Sequence, residues 1–364
     1  MARASEHQPR ARLALGAALA SGPAHAYLFR GPHGSGKSAA ARAFAAEILA
    51  TGAAEPEPAR RRAMLDPSPH PDLVWLTPSG NEHLIEEVRG QVIRAAAYRP
   101  FEGAKRVFVI EQAEAMREES QNALLKTLEE PPEFDHLLLL SAEPEALLET
   151  IISRCQEVRF AALPPEAVAQ VLADQGAEEE VAAAARLAGG DVERARFLLS
   201  DRGRGLRGAA ERLARAAVDA EAGNAPWQGL LEAAEEAGKE AERGARERLE
   251  DDEAGRKRSA REIGEEARRV GRRRRTEVLD LGLELCAAWL RDLGAVSAGA
   301  EEVVLGTDRI SELRQDAAGL DSMAARRCVE LVQDTRRRLD LNVSEELALE
   351  ALFFRAQRQL AAAV

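Results

Sequence analysis

The stretch Gly31-Pro32-His33-Gly34-Ser35-Gly36-Lys37-Ser38 has the residue types and spacing to do chemistry. It fits the pattern G-x-x-x-x-G-K-[S/T]. Its glycines let the backbone wrap closely and turn N–H groups toward phosphate oxygens. A helix starting at the end of the loop adds its positive dipole end. Lys37 would pair with β- and γ-phosphates, and Ser38 would hold Mg²⁺. His33 fills a variable position of the pattern and is not a metal ligand. A chance glycine-rich turn is the rival reading, and the context opposes it: an apolar strand pattern comes before the loop and a helical one after.

A nucleotide site of this kind needs an acid at the end of a later apolar strand. Val107-Phe108-Val109-Ile110 is such a strand, and Glu111-Gln112 follows it. Glu111 is placed to support the Mg²⁺ through water. A hydrolase would keep a water-activating carboxylate at the next position, where this chain has Gln112, which takes no proton at neutral pH. Glu114 is the other group that could be put forward as a base. The chain therefore reads as nucleotide-binding with weak or absent turnover.

The elements that must position these residues alternate. A helix is expected over 10–21, a strand at Ala26–Phe29 and a helix over 38–50. Residues 52–71 carry five prolines and read as a loop or insertion. A strand follows at Asp72–Leu76, a helix over 83–97, the Val107–Ile110 strand and a helix over 117–129. Leu137–Leu140 is a fourth strand and Glu157–Phe160 a fifth. Continuous apolar strands alternating with helices predict a three-layer α/β domain with a parallel sheet, ending near residue 162.

Beyond it strand signals vanish. Residues 164–200 give short helices around Gly176, Gly189 and Gly190. Residues 241–275 hold 13 basic and 9 acidic residues. Apart from alanine, only Leu249, Ile263 and Val270 are apolar there, so the segment reads as unable to bury a core face. It is expected to be a solvated helix or a disordered insertion, with Arg272–Arg275 on a solvated face. Amphipathic helices are expected at 276–293 (Val278, Leu281, Leu285, Trp289) and 322–339 (Met323, Cys328, Leu331, Val332, Leu339). A last helix starts near Asn342, with Glu345 placed for a capping box, and carries Leu347, Ala351 and Phe354.

The net charge of -12 excludes a whole-molecule basic footprint for nucleic acid, though not a local patch. Cys155, Cys286 and Cys328 lie too far apart in sequence for a disulfide framework or a four-thiolate zinc site, which fits a reducing cytosol. No 18-residue apolar run is present, so no membrane helix is expected. Pro9, Arg10 and Arg12 interrupt any apolar leader, so no secretory signal is expected and the location read is cytoplasmic.

Three further stretches carry a resemblance. Ala24-His25-Ala26-Tyr27-Leu28-Phe29 leads into the phosphate loop. Asn122-Ala123-Leu124-Leu125-Lys126-Thr127-Leu128-Glu129-Glu130-Pro131-Pro132 follows the acidic strand, and Ile151-Ile152-Ser153-Arg154-Cys155-Gln156 closes the domain. Together they resemble the clamp-loader branch of the AAA+ ATPases. His70-Pro71-Asp72-Leu73 and Ile85-Glu86-Glu87-Val88-Arg89 are similar to its delta-prime family of bacterial DNA polymerase III subunits. Leu341-Asn342 and Leu347–Leu352 resemble that family's collar.

The resemblance implies an AAA+ domain over residues 1–162, a small helical lid over 163–202 and an all-α collar over 203–364. It implies ATP or ADP with Mg²⁺ as ligand. It assigns Arg154 as an arginine finger that reaches the nucleotide site of a neighbouring subunit, a task suited to a planar, always-charged guanidinium. The implied partners are the gamma/tau and delta subunits in a pentameric ring, with the sliding clamp and primer–template DNA reached through the complex. A polymerase label would describe the holoenzyme, since no polymerase or nuclease site is recognisable here.

The chain also departs from the pattern. Relatives carry a four-cysteine zinc module where residues 51–70 have no cysteine, so no zinc is expected. The lid pattern Gly-Ser-x-Arg reads here Gly190-Asp191-Val192-Glu193, with Arg194 one step off, and an acid there would repel a γ-phosphate. Ser141 stands near the family's γ-phosphate sensor, or is simply a strand end. Two alternatives stay open: a gamma/tau-like motor hydrolysing its own ATP, and a small-molecule phosphotransferase, for which the helical tail has no use.

Overall fold

The computed structural model describes residues 7–78, 82–219, 225–250, 259–339, 341 and 343–361. The chain divides into two compact units, Met1–Leu163 and Pro164–Val364.

The first unit is built on five parallel strands: β1 (Ala26–Arg30), β2 (Leu73–Leu76), β3 (Arg106–Ile110), β4 (Asp135–Ser141) and β5 (Gln156–Arg159). Their order in the sheet is β2-β3-β4-β1-β5. Around it lie α1 (Pro9–Ser21), α2 (Lys37–Ala50), α3 (Pro56–Met64), α4 (Ile85–Glu87), α5 (Arg94–Ala96), α6 (Glu118–Glu129) and α7 (Glu149–Ile152). A π-helical stretch, Val88–Ile93, joins α4 to α5, so the expected single helix is distorted at its middle.

The apolar runs form strands because both faces of the sheet are covered. Tyr27, Phe29, Val107, Val109, Leu138 and Leu140 pack beneath Leu15, Phe44 and Ile48. Leu28, Phe108, Ile110, Leu137 and Leu139 pack on the other side with Val88, Val92, Leu124 and Leu128. Each such fully buried side chain contributes about 1.5–3 kcal/mol of transfer free energy. Arg30 pairs with Ser141 and Ile110 with Leu139, so the loops after β1, β3 and β4 open on one carboxyl edge. That edge, where the strand order reverses, is where ligands bind in open parallel sheets.

Residues 52–71 are not simply a loop, because α3 runs through them. Pro56 and Pro58 occupy its first turn, where backbone N–H groups have no helical partner to lose. Ala59 and Ala63 are buried, and Ala63 joins the cluster of Phe44 and Ile48.

The opposite, amino edge of the sheet buries charge. The Asp72 carboxylate accepts hydrogen bonds from the N–H groups of Phe101 (2.7 Å) and Glu102 (2.9 Å). It lies 3.6 Å from the Arg106 guanidinium. Arg106 also donates to the carbonyls of Ala95, Tyr98 and Arg99. The Asp135 carboxyl oxygens have no hydrogen-bond partner among the described residues. Burial pushes that carboxyl up to about 7, against the pull of Arg106 and with the push of Asp72. Burial drives the neighbouring His136 down to about 4.

The second unit is helical among its described residues: α8 (Pro165–Val171), α9 (Glu178–Leu187), α10 (Val192–Leu199), α11 (Asp201–Val218), α12 (Gln228–Glu250), α13 (Ala260–Ser297), α14 (Ile310–Asp316), α15 (Ser322–Leu339) and α16 (Glu345–Ala361). The charged segment is helical over 241–250 and 260–275, and α13 runs unbroken from it into the expected 276–293 helix; residues 251–258 lie outside the described residues.

The expectation that this segment has nothing to bury is corrected. α12 and α13 pack along a seam of small residues in which Ala245, Ala267, Gly238 and Gly271 are buried. A β-carbon on Gly271 would stand 2.8 Å from the Gly238 carbonyl oxygen. Large apolar side chains are missing because the backbones themselves are in contact.

α13 starts at a capping box, Ser259 with Glu262. The one expected at Asn342 lies outside the described residues. The last helix buries Leu349, Leu352, Phe353, Ala356 and Leu360. Leu347 and Phe354, expected among its apolar residues, are exposed. No helix among the described residues is long and apolar enough to cross a membrane.

Candidate nucleotide site

The loop Gly31–Gly36 leaves β1 at the carboxyl edge and ends at α2, whose first residues are Lys37 and Ser38. Gly34 (φ 67°) and Gly36 (φ 86°) take left-handed backbone conformations. Gly31 needs glycine for a second reason: a β-carbon there would lie 2.1 Å from the Phe160 carbonyl oxygen. The Gly31 N–H donates to the Ser141 carbonyl (3.1 Å), tying the loop's start to the end of β4.

Lys37 is buried, and its ammonium donates to the carbonyls of Gly31 and, at 2.7 Å, Pro32. The ammonium thus spans the loop's opening residues, where an incoming phosphate would compete for it. Ser38 Oγ donates to Glu111 Oε1. Glu111 Oε2 accepts from Trp75 Nε1 at 3.1 Å. His83 Nε2 is 2.8 Å from the Glu111 carbonyl oxygen. The structure therefore brings together the phosphate loop, Lys37, Ser38 and Glu111, all singled out in sequence. A hydroxyl and a carboxylate oxygen are hard donors, and they fit Mg²⁺.

Gln112 has a positive φ of 51°, in a turn that carries the chain from β3 to the Ala113–Ala115 3₁₀ turn. Glu114 Oε1 accepts the Ala142 N–H at 3.0 Å. This carboxylate pins the segment after β4, an anchoring task. The hydroxyls of Ser35 and Ser141 are buried and lack hydrogen-bond partners among the described residues. Ser35 lies in the loop and Ser141 beside its start.

Sequence reasoning missed two residues. Gln8, buried, donates its amide N–H to the carbonyls of Ser35 (3.0 Å) and Ala161 (2.7 Å), and its Oε1 accepts the Ala161 N–H (3.1 Å). It clamps the phosphate loop to the end of the unit. Trp75 sits in β2 and holds Glu111. Neither belongs to a spaced pattern. The only available signal was a polar residue before Pro9 and an indole among aliphatic strand residues.

Arg154 follows α7 at the partly exposed Ser153-Arg154-Cys155 turn. Its guanidinium donates to the Thr150 carbonyl (2.8 Å) and to Glu129 Oε1 (2.6 Å). Burial pushes the Cys155 thiol up to about 12, so the cysteine packs and does not react. In the second unit Glu193 is exposed and pairs with Arg196, while Arg194 pairs with Glu284. Of the arginine run, Arg273 and Arg274 pair with Glu277, and Arg275 with Glu235 and Glu345.

Part of the chain is similar to known proteins. The family described as DNA polymerase III, delta subunit, matches residues 8–164. The DNA polymerase III subunit delta' of Pseudomonas aeruginosa is 40% identical over 169 residues, 43% of this chain and 50% of that protein. That of Bacillus subtilis is 35% identical over 161 residues, 43% of this chain and 48% of that protein. The DNA polymerase III subunit tau/gamma of Haemophilus influenzae is 33% identical over 163 residues, 43% of this chain and 23% of that protein. The chain thus spans half or less of the length of each of these relatives. A solved gamma subunit-related protein of DNA polymerase III from Thermotoga maritima shares the fold, with a TM-score of 0.51 at 15% identity, covering 96% of this chain and 99% of that one.

Proposed function

Because residues 8–164 match the family described as DNA polymerase III, delta subunit, and the chain resembles delta' subunits in part, we propose that it belongs to the clamp-loader family and acts as a delta-prime-like subunit of a clamp loader. In this reading it binds nucleotide with little turnover and donates Arg154 to a neighbour's active site. Family membership implies nucleotide binding at the Gly31–Ser38 loop. The observation that carries the finer reading is the pairing of Gln112 after Glu111 with a partly exposed Arg154. The chain lacks the usual base in its own site and presents a guanidinium at its surface.

The loop N–H groups would cradle the phosphates of ATP or ADP. Lys37 would exchange the Gly31 and Pro32 carbonyls for β- and γ-oxygens. Ser38 and Glu111 would hold Mg²⁺, Ser38 directly and Glu111 through water. The ion when bound neutralises phosphate charge. Gln112 stands in the base position, and the Glu114 carboxylate is held by the Ala142 N–H at Oε1, which favours weak turnover.

Arg154 would leave Glu129 and stabilise the charge on a phosphoryl group held by the adjacent subunit. The remaining assignments belong to the same proposal: gamma/tau and delta subunits in a pentameric ring in the cytoplasm, a lid over 163–202, a collar over 203–364, and no zinc. The exposed Leu347 and Phe354 on α16, seven residues apart and so on one face, support collar contacts between subunits. The sliding clamp and primer–template DNA would be reached through the assembled complex.

One observation favours a motor subunit with its own ATPase: the tau/gamma relative is nearly as similar as the delta' ones. The two readings separate in a reconstituted complex. If this chain is the finger donor, Arg154→Ala lowers DNA-stimulated ATP hydrolysis and clamp loading, and Lys37→Ala matters far less. The reverse order identifies a motor.

A further inference from the structure

Glu111 is one methylene longer than an aspartate, so its carboxylate at the end of β3 has an extra torsion to fix. Both of its oxygens are engaged. Oε1 accepts from Ser38 and Oε2 from the Trp75 indole N–H at 3.1 Å. Trp75 pairs in register with Val109, two residues before Glu111, and the indole spans that offset. The indole is itself held. The Arg42 guanidinium lies 4.3 Å from its ring centroid, and Arg42 is fixed by the Leu65 carbonyl (2.6 Å) and the Asp66 carboxylate (3.0 Å). A β2 side chain, backed by a helix α2 arginine, thus sets the rotamer of the acid beside Ser38.

We propose that Trp75 is a positioning residue for the magnesium–nucleotide site: its indole N–H holds Glu111 in the orientation that receives metal-bound water. This rests on the nucleotide-binding reading above. Ser38 donates its proton to Glu111 and keeps its lone pairs for a cation, so the Ser38–Glu111–Trp75 chain is already arranged for a hydrated divalent ion. Outer partners of this kind typically change metal affinity about 10–100-fold when removed.

The test is Trp75→Phe, which keeps an aromatic surface for Arg42 and removes the N–H. ADP binding by the full chain is measured by calorimetry with Mg²⁺ and with EDTA. The expected result is a loss of about tenfold or more in the Mg²⁺-dependent gain in affinity, with the EDTA value unchanged. Trp75 also becomes a probe in a Trp227→Phe/Trp289→Phe background, where it is the sole tryptophan of the three. Its emission should respond to ADP with Mg²⁺ more than to ADP in EDTA. Equal losses with and without Mg²⁺ would reduce Trp75 to a packing residue and overturn the proposal. So would an unchanged Mg²⁺ gain. A wild-type chain that binds no ADP in either condition would instead overturn the nucleotide-binding reading itself.

Discussion

Arg154 lies in an ion pair with Glu129, its guanidinium nitrogen 2.6 Å from the carboxylate oxygen. The pair joins the turn after α7 to the last residue of α6, and both partners are partly exposed. An exposed pair of this kind is worth about 0–1 kcal/mol. Arg154→Ala should therefore leave the melting temperature of the chain nearly unchanged. In the assembled complex it should still lower one neighbour's hydrolysis, where a finger can be worth about 10³–10⁵ in rate. Arg154→Lys should restore little, because an ammonium lacks the planar fork. Full activity of Arg154→Lys in a reconstituted ATPase assay would count against the finger.

The isolated chain should show only trace ATPase activity. A general base contributes about 10²–10⁴-fold, and Gln112 cannot act as one. Glu114 should not substitute, since it holds the Ala142 N–H. Glu114→Ala should leave that trace rate unaltered while costing about 1–3 kcal/mol of stability by orphaning the amide. Steady-state phosphate release and chemical denaturation measure the two effects. Robust turnover abolished by Lys37→Ala would contradict the first.

Two glycines with positive φ make a matched comparison. A β-carbon on Gly31 would meet the Phe160 carbonyl at 2.1 Å, whereas one on Gly189 (φ 61°) would meet nothing within 4 Å. Gly189→Ala should cost about 1–2 kcal/mol, the price of the left-handed backbone alone. Gly31→Ala adds a backbone collision and should cost more, roughly 3 kcal/mol or above, with loss of nucleotide binding. Urea titrations of both variants test the order.

Asp135 sets a pH dependence of known sign. Its folded carboxyl sits near 7, above its unfolded value, so the folded state holds the proton longer. That group's contribution is present at low pH and is lost as pH rises from the ordinary carboxylate range to about 7. His136, near 4 when folded, acts oppositely up to the ordinary histidine range. Asp135→Asn removes only the first effect. Its stability relative to wild type should therefore climb between pH 4.5 and 7.5, by at most about 1.4 kcal/mol per pH unit. A difference that stays flat across parallel melts would refute the assignment.

What sequence made legible was local. The phosphate loop, Lys37, Ser38 and Glu111 lie on contiguous stretches whose spacing encodes their geometry, and the β-strands are apolar runs because the sheet is buried on both sides. The helix α3 was hidden because Pro56 and Pro58 look like breakers until their place in a first turn is known. Gln8 acts across 27 and 153 residues of sequence and Trp75 across 36, through side-chain hydrogen bonds that no periodicity announces. On α16, Leu347 and Phe354 have the right spacing for a face, but neighbouring Leu349, Leu352 and Phe353 won the interior.

The seam between α12 and α13 has an effect on what this segment can become. Two helices that meet here through Gly238 and Gly271, with Ala245 and Ala267 also buried in them, ask little of the exposed positions of this charged stretch. Surface charges along 241–250 and 259–274 can be exchanged or inverted while the pairing persists. The charged face of these two helices is in that sense a blank strip, whose chemistry can drift without endangering the architecture that holds it. The same economy has a brittle point: a side chain on Gly271 strikes backbone, which has no rotamer with which to yield.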